Sequence, residues 1–144
     1  GGGSAKESVD KSDESGIIDN GKSNSDREEL KKAIENGTLK TKLDKKAQSA
    51  HKLGSEEYNK RIANGELPSY TEMSNMEIQK IINEYSSKGE VRKFPDNQFR
   101  EVIKTDAFKG MFGDRTTGKY IPTNRATIHY SKKGTHLVPA APIK

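Results

Sequence analysis

The sequence contains no cysteine and no tryptophan. Without thiols there is no disulfide framework, no thiolate nucleophile and no cysteine-based zinc site. Aromatic residues make up 6% of the chain and hydrophobic residues 29%. A typical globular domain is roughly 45–50% apolar with glycine counted, so part of this chain is expected not to pack. No apolar run approaches the roughly 20 residues of a membrane-spanning helix. Residues 1–15 also lack the apolar centre of a secretory signal, so no membrane partner is expected.

What the sequence has is charge. Charged residues form 33% of its 144 positions and the net charge is +5 at pH 7. Three lysines and five acidic residues fall within residues 1–24, a balance of −2, which leaves +7 for residues 25–144. The length suits one domain. A domain that basic either favours a polyanionic partner such as nucleic acid or is simply kept soluble by its charge.

Residues 1–24 are rich in Gly, Ser, Asp and Lys and are expected to form a flexible linker, since they cannot bury enough surface to offset their ordering entropy. Ser25 and Glu28 have capping-box spacing, with Leu30, Ala33 and Ile34 continuing a helix to Asn36-Gly37. Further helices are expected over 44–52 and 55–64. The clearest spans 74–86, where Ser74 and Glu77 repeat the capping box, Gly89 lies near the C-terminal cap, and Met76, Ile78, Ile81, Ile82 and Tyr85 cover one face.

Beyond Gly89 the period shortens. Residues 91–94, 99–105 and 108–112 suit short strands, and 114–118 a hairpin turn. Residues 126–131 and 135–138 form the strongest strand pair. Helices first and strands last make an α+β fold, with N-terminal helices packed on a C-terminal, mainly antiparallel sheet.

In that last hairpin, a two-residue turn at Lys133-Gly134 would set Ser131 opposite His136 and His129 opposite Val138. Ile128, Tyr130 and Leu137 then share one face, and His129, Ser131 and His136 share the other. Two imidazoles and a hydroxyl beside Lys132, Lys133 and Arg125 suit phosphodiester chemistry. One imidazole takes the proton of a ribose 2′-hydroxyl and another protonates the departing 5′-oxygen. A basic side chain offsets the charge growing on the phosphoryl oxygens. A strand histidine facing solvent is more often plain polar surface. The three histidines show no close helical His-x-x-x-His spacing, so neither metal nor cofactor is expected.

Residues 128–142, IHYSKKGTHLVPAAP, resemble the closing signature of the polymorphic-toxin type 50 family. Its domains form the C-terminal toxin ends of bacterial and prophage polypeptides. Residues 48–58, QSAHKLGSEEY, resemble that family's opening motif of Gln, His, Gly and Tyr, and the likeness runs over residues 44–142.

The resemblance implies the ribonuclease fold shared by barnase, EndoU, the tRNase colicins and RelE-like toxins, with helices on a four- to five-stranded antiparallel sheet. The implied activity is metal-independent cleavage of RNA to a 2′,3′-cyclic phosphate. On this sequence it marks His51, His129, Tyr130, Ser131, Lys132 and His136. His51 and His129 would be the acid/base pair and His136 the substitute for either, with Lys132 stabilising the phosphate and Ser131 or Tyr130 orienting it. Lys52, Thr123, Arg125, Lys133 and Thr135 are candidate substrate contacts.

The toxin domain is expected over 44–144, with 25–43 a helix and linker leading into it. An RNA substrate, a cognate immunity protein of acidic character and a monomeric state are expected. So is delivery within a larger polypeptide that acts in a target bacterial cytoplasm. The rival class is a non-catalytic basic module that binds nucleic acid through phosphate contacts alone.

Overall fold

A computed structural model describes residues 20–142; the linker reading for residues 1–19 lies outside them. Helices α1 (Asn20–Glu35), α2 (Lys45–Ser49), α3 (Glu56–Ala63) and α4 (Asn75–Tyr85) precede the strands. Strands β1 (Glu90–Phe94), β2 (Gln98–Lys104), β5 (Arg125–Ser131) and β6 (Gly134–Pro139) form one antiparallel sheet in the order β1-β2-β5-β6. Strands β3 (Gly110–Asp114) and β4 (Lys119–Thr123) pair as a separate two-stranded ribbon. The fold is therefore α+β, helices first, as expected.

Alternation along the strands divides the sheet into two unlike faces. One carries Val91, Phe99, Ile103, Ala126, Ile128, Tyr130 and Leu137, all in the hydrophobic core. Leu30 from α1, Ile78, Ile81 and Ile82 from α4, and Leu39, Leu43 and Phe108 from the connections complete that core. The opposite face is polar and only partly covered, with Arg100, Thr127, His129, Ser131 and His136 along it.

Helix α4 forms where its local signals place it. Ser74 accepts from the Glu77 N–H and the Glu77 carboxylate accepts from the Ser74 N–H, a complete capping box. Met76 departs from the expected apolar face and is 78% exposed. At 3.6 residues per turn it lies about 200° around the helix from Ile78. Nor is Gly89 the residue that closes α4, because the positive φ falls at Ser87. Gly89 serves another need, since a Cβ there would run into the Val102 carbonyl oxygen.

Both free edges of the sheet are closed by side chains from helices, which removes the exposed strand edge that invites aggregation. At β1, Asp26 of α1 accepts the Lys93 N–H at 3.0 Å, and Arg27 donates to the Gly89 carbonyl at 2.7 Å. At β6, Gln48 of α2 accepts the Leu137 N–H at 2.7 Å and donates to the Leu137 carbonyl at 2.9 Å. Helix α1 begins at Asn20 rather than Ser25, so Ser25 lies inside it and caps nothing. Leu30 of α1 is fully buried in the same core as the sheet residues.

The last hairpin keeps its expected faces but slides by two residues. Its turn is Lys132-Lys133, with Ser131 opposite Gly134 and His129 directly opposite His136. Segment 42–44 forces this register. It pairs with Thr135 through the Asp44 N–H and the Lys42 carbonyl, and it crowds Gly134, whose added Cβ would meet the Lys42 oxygen at 2.8 Å. Gly134, at φ +145°, therefore opens the strand instead of making the turn.

Candidate active site on the open face of the sheet

The slide of two residues builds the site. His129 and His136 become a cross-strand pair on the open face, their rings stacked with centroids 4.9 Å apart. His51 extends the stack from the other side of His136 at 5.9 Å, so the three imidazoles form a row in the order His51, His136, His129. The rings lie nearly parallel, and no group of three metal-ligating side chains converges among the described residues.

His51 is held from several sides. It follows α2, and its N–H donates to the Gln48 carbonyl at 2.9 Å. Its own carbonyl accepts the Thr71 N–H at 2.9 Å, and its Nδ1 lies 3.0 Å from the Ser69 carbonyl. A carbonyl can only accept, so Nδ1 carries the proton and Nε2 of the neutral ring is left with a free lone pair. Ser69 is fixed in turn by its Oγ, which accepts the Gly113 N–H of β3 at 2.9 Å. Behind it Tyr58, Tyr70 and Tyr120 stack edge to face, and the Tyr120 hydroxyl donates to the Pro68 carbonyl. The two-stranded ribbon thus braces the segment that orients His51.

Electrostatics keep all three rings short of protons. Burial lowers the His51 pKa, only partly offset by the Ser69 carbonyl. His129 falls to about 4 through burial, then through the charges of His136, Arg100 and His51. His136 also falls to about 4, through burial and then His51, with Asp44 pulling the other way. At neutral pH the unliganded site is a row of neutral imidazoles, able to accept protons and poised to gain one when an anion arrives.

A pocket of about 180 Å³ opens at the row, lined among others by His129, His136, Ser131, Arg100 and Asp44. His51 does not line it and stands behind His136. A larger groove of about 840 Å³ lies elsewhere, between Tyr70, Met73, Phe108 and Met111. Its walls are mainly apolar and it contains none of the histidines, so the smaller pocket is the chemical candidate.

The remaining expected site residues separate clearly. Ser131 is on the open face, where its hydroxyl donates to the Gly134 carbonyl at 3.0 Å. Lys52, Lys132 and Lys133 are exposed, the last two at the hairpin tip. Tyr130 also borders the pocket. It points into the core, and its hydroxyl donates to the buried Glu101 carboxylate at 2.6 Å, near the Ser86 hydroxyl. Strand alternation alone puts it there, one residue out of phase with His129.

Thr135 is on the core face too, its hydroxyl donating to the Lys40 carbonyl at 2.7 Å. Thr123 donates to the Ala140 carbonyl and Arg125 to the Ala141 carbonyl, so both secure the segment after β6. Sequence reasoning missed Arg100, which pairs across strands with His129. Alternation in β2 puts Arg100 on a polar face, but nothing local reveals that β2 pairs with β5.

The family model for bacterial toxin 50 matches residues 43–139. The chain belongs to the bacterial toxin 50 family. No curated protein and no solved structure matches it. Within this toxin domain all three histidines lie inside the matched span. Of the motif residues Gln48, His51, Gly54 and Tyr58, the first ties α2 to β6 and the last braces Ser69 through the tyrosine cluster. His51 alone of the four joins the row. Helix α1 lies outside the matched span and yet closes the β1 edge. Among the described residues no helix is long and apolar enough to cross a membrane.

Proposed function

We propose that this bacterial toxin domain is a metal-independent endoribonuclease that cleaves RNA by attack of a 2′-hydroxyl on the adjacent phosphate. The observation that carries the reading is the row of stacked imidazoles at a small pocket on an otherwise open, basic sheet face. His129 and His136 are the proton-transfer pair. Each disfavours a charge on its neighbourhood, so the arrival of one phosphate brings one proton to the pair and leaves one acid and one base.

The neutral imidazole takes the 2′-hydroxyl proton as its oxygen bonds to phosphorus. The imidazolium then gives its proton to the 5′-oxygen as the P–O5′ bond breaks, which leaves a 2′,3′-cyclic phosphate and a 5′-hydroxyl. His51 stacks behind His136, fixing that ring and supplying a third proton acceptor. It is thus a positioning residue in this reading, with the pocket pair taking the roles first assigned to His51 and His129. Lys52, Lys132 and Lys133 contribute long-range attraction for the polyanion.

A partner immunity protein would cover the row with acidic side chains, and the domain would act after delivery into a target bacterium. The test is incubation of total bacterial RNA and of single-stranded DNA with the wild type, His129→Ala, His136→Ala and His51→Ala in EDTA. RNA-only cleavage to cyclic-phosphate ends, abolished by the first two substitutions, is expected. Salt-sensitive binding of RNA and DNA alike without cleavage would instead identify a binding module.

A further inference from the structure

The row does not stop at His129. Register places Arg100 of β2 directly opposite His129, and Arg92 of β1 directly opposite Arg100. All of them are on the open face, so His51, His136, His129, Arg100 and Arg92 form a line running across the strands. Directly opposed residues in an antiparallel pair have Cβ atoms about 4.5–5.5 Å apart, which puts the Arg100 side chain within reach of whatever His129 touches.

Arg100 is also prepared for an anion. Its guanidinium carbon sits 4.6 Å from the centroid of the Phe94 ring, which restrains the side chain without consuming its donors. Among the described residues it has no ion-pair partner, and it lines the same pocket as the two histidines. Among the described residues Arg92 pairs with Glu90, at 3.9 Å and exposed, which is a weak pairing.

We infer that Arg100 holds the scissile phosphate beside His129 and that Arg92, one strand further out, holds a neighbouring phosphate, so that the RNA backbone lies across the strands along this line. The inference rests on the ribonuclease reading for its chemistry. It gives the transition-state charge to the guanidinium fork of Arg100, which can bond two phosphoryl oxygens at once, instead of to Lys132 at the hairpin tip.

The test uses the full chain with Arg100→Gln, Arg100→Lys and Arg92→Gln. Two readouts are measured: cleavage of an RNA oligonucleotide in EDTA, and salt-dependent binding of its uncleavable 2′-deoxy analogue. Arg100→Gln should lower kcat by about 10²–10³-fold and move KM less. Arg100→Lys should fall between it and the wild type, having the charge without the fork. Arg92→Gln should raise KM. Each glutamine substitution should reduce the slope of log K against log salt by about 0.7, the loss of one phosphate contact to a single strand.

Unchanged kcat in Arg100→Gln together with unchanged slopes would overturn the inference. If the wild type leaves RNA intact, the ribonuclease reading fails. The slopes then decide the line independently: a reduced slope sustains it as a phosphate track and an unchanged slope removes it.

Discussion

The two faces of the four-stranded sheet are built from the same strands and separated by a single residue of phase, yet they do opposite things with polarity. On the core face the polar groups are spent on structure. Glu101 is fully buried and accepts from the Tyr130 hydroxyl and from the Ser87 and Gly89 N–H groups, which pins the α4–β1 connection to the sheet. On the open face, Arg100 and the imidazoles of His129 and His136 are left with donors and lone pairs to spare at a pocket. A buried carboxylate with three donors is a device for holding one geometry. A row of neutral imidazoles beside a guanidinium with no ion-pair partner among the described residues is a device for receiving an anion.

The contrast can be broken, and the largest effect should come from neighbouring residues of β5. His129→Ala should cost on the order of 10²–10⁴-fold in RNA cleavage while leaving the unfolding midpoint nearly unchanged. Ile128→Ala, one position away, should destabilise the fold by about 2–5 kcal/mol and leave the activity of the remaining folded molecules intact. Paired denaturation and cleavage assays check both.

Gln48→Leu comes next. It strips two hydrogen bonds from the covered edge of β6 and should cost about 1–3 kcal/mol for each backbone group of Leu137 left unpaired. Because that edge carries His136, cleavage should fall along with stability.

The remaining effect is the dependence on pH. His129 and His136 bind protons less readily folded, at about 4, than unfolded, near 6.5. The unfolded chain therefore takes up more protons in that window. Stability should be fully present above about 6.5 and be lost as pH falls toward 4, less so in His129→Gln. A melting series in matched buffers reads it. Because a bound phosphate favours the imidazolium, the alkaline limb of kcat should lie at higher pH than that of kcat/KM.

Much of the contrast was legible in the sequence, because alternation is local. Ile128 and Leu137 against His129, Ser131 and His136 sort themselves by parity, and a slide of two residues leaves parity untouched. The capping box at Ser74 is equally local. What the sequence withheld depends on distant chain segments. The Lys42 carbonyl that crowds Gly134 sets the register, and so decides that His136 rather than Val138 stands opposite His129. Pairing of β2 with β5 brings Arg100 to the site, and hydrogen bonds to β1 bring α1 against the sheet edge. Tyr130 is adjacent to His129 in the string but lies on the opposite face, as strand phase requires.

Tyr130 and His129 together give the most direct test. Cleavage of total bacterial RNA in EDTA should be measured for His129→Ala and Tyr130→Phe side by side, each with its unfolding midpoint. The expected result is an inactive but stable His129→Ala and an active but destabilised Tyr130→Phe. An inactive Tyr130→Phe of unchanged stability, or a fully active His129→Ala, would contradict the division of labour between the two faces.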